Sequence, residues 1–121
     1  MKKTILIVDD TPDIIKLLDF LLKKMGYSVV SALTGQQALD QIRLQIPDLV
    51  LLDFHLPDLS GVDICKALKA DPAFMHIPVI LMSASSDESV RKHQAEAQAD
   101  GFLMKPFLRK DLEKLTAEFL P

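Results

Sequence analysis

The sequence is short of the features that would place it in several large classes. It has a single cysteine, Cys65, in 121 residues. No internal disulfide can form and no cysteine zinc site can be assembled, so a reducing compartment, the cytoplasm, is the expected setting. It has no basic excess: 14 Lys and Arg against 17 Asp and Glu give a net charge of −3. That argues against direct nucleic-acid binding, which usually shows a basic stripe. No apolar run approaches the roughly 20 residues of a membrane span, so no membrane insertion is expected. Asp9 and Asp10 cut the first apolar stretch too early for a signal peptide. There is no internal repeat, low-complexity tract or linker. What is left is the composition of a compact domain, 49% hydrophobic and 26% charged. The length suits one domain, residues 1–121, able to fold without a metal or disulfide.

Within that domain, short apolar runs alternate with segments of helical period. Ile5-Leu6-Ile7-Val8 reads as a strand buried on both faces. Thr11 and Pro12 open a helix whose apolar residues are Ile14, Leu17, Leu18, Leu21, Leu22 and Met25, with Gly26 as its stop. Residues 27–32 form a second strand. Thr34 and Gln37 make a capping box ahead of a helix with Leu39, Ile42 and Ile46 on one face. A third strand, 49–52, ends at Asp53. Ser60 and Asp63 cap the next helix, whose inner stripe is Val62, Cys65 and Leu68. A fourth strand, 79–82, ends at Ser83. A polar helix follows over about 87–99, and a fifth strand, 101–104, runs into Lys105-Pro106. In the last helix Leu112, Leu115 and Phe119 face inward.

Five βα units of this kind predict an α/β fold: a doubly wound five-stranded parallel sheet, order 2-1-3-4-5, with five helices. In such a sheet the C-terminal strand ends lie along one edge, and ligands bind where the strand order reverses. Asp9, Asp10 and Asp53 should therefore converge there, with Ser83 and Lys105 beside them. Three carboxylates so close repel at neutral pH unless one is protonated or a cation is bound. An all-oxygen donor set suits a hard ion, Mg²⁺ first and Mn²⁺ as an alternative. A cation and the Lys105 ammonium flanking one carboxylate make a place for a phosphoryl group, to which Ser83 can donate a hydrogen bond.

Four pieces carry a resemblance that spans the chain: Asp9-Asp10; Leu51-Leu52-Asp53-Phe54-His55-Leu56-Pro57-Asp58-Leu59-Ser60-Gly61; Pro78-Val79-Ile80-Leu81-Met82-Ser83-Ala84; and Lys105-Pro106-Phe107. In that order, each at a strand end, they resemble the receiver domain of bacterial two-component response regulators, of the single-domain chemotaxis-regulator type. The resemblance implies a flavodoxin-like three-layer sandwich. It implies that Asp53 is the phosphoacceptor for a histidine kinase or histidine phosphotransfer protein. Asp10 is then a direct Mg²⁺ ligand, Asp9 binds largely through water, Asp53 is itself a ligand, and His55 supplies its backbone carbonyl. Ser83 bonds the phosphoryl group and moves toward it. Ala84 leaves the site open, and Ser85 adjoins it. Lys105 pairs with the phosphoryl oxygens, its bond to Pro106 is cis, and Phe102 is the switch aromatic.

Other readings of the same residues are weaker. A zinc site at His55 lacks a second histidine or cysteine at ligand spacing; its side chain is expected at the mouth of the site, modulating water access. His76 and His93 read as solvated. Phe102 reads either as plain core or as a switch held by packing alone, since it has no hydroxyl. Phe20 falls outside the apolar stripe of its helix, where it either packs on the last helix or contacts a kinase or phosphotransfer helix. The segment 83–101 has one large aliphatic residue, Val90, and is expected to be weakly anchored. An aspartyl-phosphate hydrolase would want an acid two residues after its nucleophile, where Thr11 and His55 stand. A flavin protein would not place two carboxylates in its first loop. A receiver that no longer takes phosphate would be missing some part of the site. The last helix, 109–120, lacks the arginine-rich ending of receivers that dimerise ahead of a winged-helix domain, and so points to a stand-alone protein working through protein contacts.

Overall fold

A computed structural model describes residues 2–84 and 88–121, with the side chains at positions 88–91 and 94 set aside. Apolar runs without alternation become strands: β1 (Thr4–Val8), β2 (Ser28–Ala32), β3 (Leu49–Asp53), β4 (Val79–Ser83) and β5 (Gly101–Met104). All pairings are parallel and the order is β2-β1-β3-β4-β5. Between the strands lie α1 (Pro12–Lys24), α2 (Gly35–Leu44), α3 (Gly61–Ala70), α4 (Glu88–Ala97) and, last, α5 (Arg109–Phe119). The continuous apolarity of β1 and β3 has a direct cause. Leu6, Val8, Val50 and Leu52 face the core shared with α2 and α3. Ile5, Ile7, Leu49 and Leu51 face the core shared with α1 and α5. Both faces of the sheet are thus covered, as a parallel sheet requires.

Local signals act much as the sequence suggests, with exceptions that have reasons. Gly26 stops α1 at φ +97°, a conformation open to glycine. Thr34 Oγ1 accepts the Gln37 amide at 3.1 Å, and Ser60 Oγ accepts the Asp63 amide at 3.0 Å. Thr11, by contrast, makes no side-chain cap; its own amide is drawn to Asp9 Oδ1 at 2.9 Å. Ile46 lies beyond the end of α2 and is exposed, and Leu17 stands at the solvent side of α1. The helix α4 is shorter than 87–99, since Gln98 takes a left-handed φ of 61°. Its described anchorage is Ala97, buried, whose carbonyl accepts Cys65 Sγ at 3.4 Å; the Val90 side chain lies outside the described residues. Phe20 is 54% exposed with Lys24 Nζ 4.7 Å from its ring centre, so it is not buried against α5.

At the edge of the sheet away from Asp53, Lys69 Nζ donates to the Ile77 carbonyl at 2.8 Å and to Asp100 Oδ2 at 2.7 Å. The same Asp100 oxygen accepts the Val79 amide at 2.8 Å. This pins the starts of β4 and β5, and so the register that carries Ser83 and Lys105 to the other edge. The split core gives a stability contrast. Leu51→Ala, in the fully buried central strand, is expected to destabilise by about 2–5 kcal/mol in urea unfolding. Leu44→Ala, at 83% exposure, is expected to change stability by no more than about 0.5 kcal/mol.

Candidate functional site

Three strands end in the groups that matter. Val8 closes β1, and the Asp9 amide then donates to the Ala32 carbonyl at 3.1 Å, carrying the chain one residue beyond its pairing. Asp53 is the last residue of β3, and Ser83 the last of β4. Because all strands run the same way, these ends share one edge. Carboxylate oxygens of Asp9, Asp10 and Asp53 lie within 4.8 Å of one another. Asp9 is fully buried and Asp53 is 7% exposed, whereas Asp10 is open to solvent.

Lys105 follows β5 and reaches across the cluster. Its Nζ donates to Asp9 Oδ2 at 2.6 Å and to Asp53 Oδ1 at 3.2 Å. The Lys105 amide donates to the Ser83 carbonyl at 2.8 Å, which ties the lysine to the end of β4. The Lys105-Pro106 peptide is cis. Ser83 is buried and Ala84 exposed beside the site. Phe102 is half-buried against the core that includes α2 and α3, and it lines a groove of about 430 Å³ with Met104, Pro106, Leu115 and Phe119. His55 is exposed, its ring edge-on to Phe54 at 4.9 Å. Ser85 lies outside the described residues.

The sequence reading passed over three supporting residues. Gly61 lets α3 begin against the acceptor strand: a Cβ there would lie 2.2 Å from the Asp53 carbonyl oxygen. Its position at the first turn after Ser60 was the available signal. Phe54 lies between two histidine rings, edge-on to His55 at 4.9 Å and tilted against His93 at 5.8 Å. His93 is exposed, as the sequence suggests, and has this ring contact besides. Asp58 is bound by two amides of α2, a long-range contact that spacing in the sequence does not reveal.

Electrostatics set what the cluster can do. Burial raises the Asp53 carboxyl above its ordinary 3.8, and the Asp9 charge pushes the same way; Lys105 offsets only part of this. Burial works against the Lys105 ammonium, but its hydrogen bond to Asp9 and the charges of Asp53 and Asp9 prevail, raising it above 10.5. Three carboxylates and one ammonium leave two negative charges uncompensated when all are ionised. The donors are all oxygen, and Asp10 faces solvent. This set fits a hard divalent cation that keeps some of its waters.

The two shifts have the same sign, so both contributions fall as pH rises, Asp53 in the acid range and Lys105 in the alkaline range. Lys105, raised, contributes stability that is present below pH 10.5 and lost as pH rises through its folded value. Asp53, also raised, favours the folded state when protonated, an advantage lost as pH rises through its folded value. At neutral pH its ionised form therefore opposes folding of the metal-free protein. Asp53→Asn is expected to melt at higher temperature than wild type in chelator at neutral pH. The difference should close below pH 3.8, where both states of Asp53 are protonated. Thermal melts by circular dichroism at the two pH values check this.

The sequence model of the response regulator receiver domain matches residues 5–117. The DNA-binding response regulator MtrA of Mycolicibacterium smegmatis is 38% identical over 112 residues, covering 93% of this chain and 48% of MtrA. The chain spans about half the length of the curated relatives it matches. A putative response regulator from Chloroflexus aurantiacus superposes with a TM-score of 0.94 at 32% identity, covering 99% of this chain and 98% of that one. The receiver domain of the sensor histidine kinase PA1611 from Pseudomonas aeruginosa superposes with a TM-score of 0.90 at 27% identity, covering 98% of each chain. That structure has a magnesium ion coordinated in its active-site cleft. With Asp53, Asp9, Asp10 and Lys105 gathered at the sheet edge, the chain belongs to the response regulator receiver domain family, the phosphorylation-dependent signalling modules of two-component systems.

Proposed function

We propose that Asp53 is the phosphoacceptor and that a sensor histidine kinase or a histidine phosphotransfer protein is its donor. The observation that carries this reading is the Lys105 ammonium held between Asp9 and Asp53. It leaves one Asp53 carboxylate at the rim of the sheet with positive charge on one side and acids on the other. A carboxylate oxygen of Asp53 attacks the donor phosphorus and forms an O–P bond. The P–N bond to the donor imidazole breaks, and its electron pair stays on the nitrogen, which is reprotonated from solvent. Lys105 then donates to a phosphoryl oxygen in place of its bond to Asp53, and the Ser83 hydroxyl donates to another.

Asp10, Asp53 and the His55 carbonyl would hold Mg²⁺, with Asp9 acting largely through water; Mn²⁺ suits the same oxygen donors. When bound, the ion supplies positive charge to the phosphoryl oxygens. Ala84 leaves room for the incoming group, and Pro106 fixes the backbone after Lys105. Displacement of Ser83 toward the phosphoryl group draws Phe102 inward and biases the face built by α4, β5 and α5. Output through protein contact is supported by that face, where Met104 and Leu108 are 49% and 60% exposed. The net charge of −3 argues against a nucleic-acid surface on this stretch. Among the described residues no helix is long and apolar enough to cross a membrane, in keeping with a cytoplasmic place of action.

Two experiments test the reading. Incubation with acetyl phosphate and Mg²⁺ should add the mass of one phosphoryl group to wild type and none to Asp53→Asn, read by intact-mass spectrometry. Lys105→Ala should slow that addition on the order of a hundredfold, the usual loss for one charge-stabilising donor. An acceptor elsewhere in the chain would leave Asp53→Asn labelled. In the second, His55→Ala is expected to change the rate of dephosphorylation, because the exposed ring stands two residues past the acceptor; equal rates would remove His55 as a gate for water.

A further inference from the structure

We propose that Asp58 is a positioning residue for the metal site. It ties the loop that carries the His55 carbonyl to the start of α2. The proposal rests on the reading above, in which that carbonyl is a metal ligand.

The loop over 54–60 leaves β3 immediately after Asp53. Its two ends are well fixed. The Phe54 amide donates to the Met82 carbonyl at 2.8 Å, and the Gly61 amide donates to the Phe54 carbonyl at 3.0 Å. His55 and Ser60 form an isolated antiparallel bridge that closes the loop on itself. Its tip is exposed at Pro57, Asp58 and Leu59, and burial alone does not hold it. Asp58 supplies the missing constraint. Its Oδ1 accepts the Gly35 amide at 2.8 Å and its own neighbour Leu59 at 3.0 Å, and its Oδ2 accepts the Gln36 amide at 3.0 Å.

This arrangement does more than cap a helix. The helix α2 already has a cap from its own residues: Thr34 Oγ1 takes the Gln37 amide, and Gln37 Oε1 takes the Leu33 amide at 2.9 Å. The two amides left over, Gly35 and Gln36, go to a carboxylate more than twenty residues along the chain. The approach is close because position 35 has no side chain. A Cβ there would lie 2.8 Å from Ile64 Cδ1 and 3.0 Å from the Leu59 side chain. The positive end of the α2 dipole favours the carboxylate, and the amides hold its pKa below the ordinary value. The loop tip is thereby clamped to a helix packed on the sheet, and His55 lies between that clamp and the fixed end at Phe54. Groups that orient a metal ligand commonly matter about as much as the ligand itself.

The test measures Mg²⁺ binding to the full chain by isothermal titration calorimetry, without phosphodonor, beside hydrogen exchange of the 54–61 amides in metal-free protein. Asp58→Ala is expected to weaken Mg²⁺ on the order of tenfold and to speed exchange in the loop. Asp58→Asn, which keeps one acceptor oxygen, should recover part of both. Thr34→Ala removes a cap from the same helix without touching the loop; it should lower the melting temperature and leave Mg²⁺ affinity unchanged. Wild-type affinity in Asp58→Ala, or an equal loss in Thr34→Ala, overturns the proposal while the metal reading stands. A wild-type chain that takes up no Mg²⁺ overturns both. Circular dichroism of each variant confirms the fold, and Asp58→Asn carries the comparison should the alanine variant fail to fold.

Discussion

The Lys105 ammonium, wedged between a fully buried Asp9 and a nearly buried Asp53, is the contact on which the rest of the site depends. At the C-terminal edge of a hydrophobic sheet, burial and the neighbouring Asp9 charge drive the Asp53 carboxyl toward protonation. One fixed cation keeps the two carboxylates together without neutralising them fully. The residual negative charge suits a hard divalent ion, and the same ammonium stands 3.2 Å from Asp53 Oδ1. A buried ion pair of this sort contributes little to net stability against an apolar alternative. Its presence at the rim of a largely aliphatic core reflects the chemistry at the edge.

The fold supports that contact by mechanical means. Asp9, Asp53 and Lys105 come from three strands, and their spacing depends on strand register. The Lys69–Asp100–Val79 network holds the opposite edge of β4 and β5 in register. Gly61 allows α3 to start directly over the Asp53 carbonyl. The loop between them is short and self-closed through the His55–Ser60 bridge. The proposed response to a change at Asp53 runs to the other side, to β4, β5 and α4. On that side, among the described residues of α4, Ala97 is buried in the core, and the His93 ring lies 5.8 Å from that of Phe54.

Much of this was readable before any coordinates. Strands buried on both faces lose the period of two and become unbroken apolar runs, so β1, β3 and β4 announced themselves. Each run is followed at its C-terminal end by a polar residue, and in a parallel sheet that regularity places Asp9, Asp10, Asp53, Ser83 and Lys105 on one edge. Helix starts marked by Thr34 and Ser60 were legible because their bonds span three residues. Thr11 stands at the N-cap of α1 as the sequence suggests, without a side-chain cap; its amide donates to Asp9, a contact that helix signals do not reveal. Leu17 on α1 misled, because a stripe of apolar residues on a helix is wider than the face its neighbours cover; Phe20, read as outside that stripe, is exposed.

The order of polar and apolar residues along the chain by itself determined the fold class and the identity of the clustered acids, since those follow from periodicity and from the direction of parallel strands. Only the tertiary structure decided which acid lies buried against Lys105 and which stays in water. It also decided that Asp58 belongs to α2 and that Phe54 joins two histidines. These are contacts between residues distant in sequence, formed when elements pack at particular distances. No local rule of spacing, propensity or charge encodes those distances, because they are set by the volumes of the side chains filling the two cores.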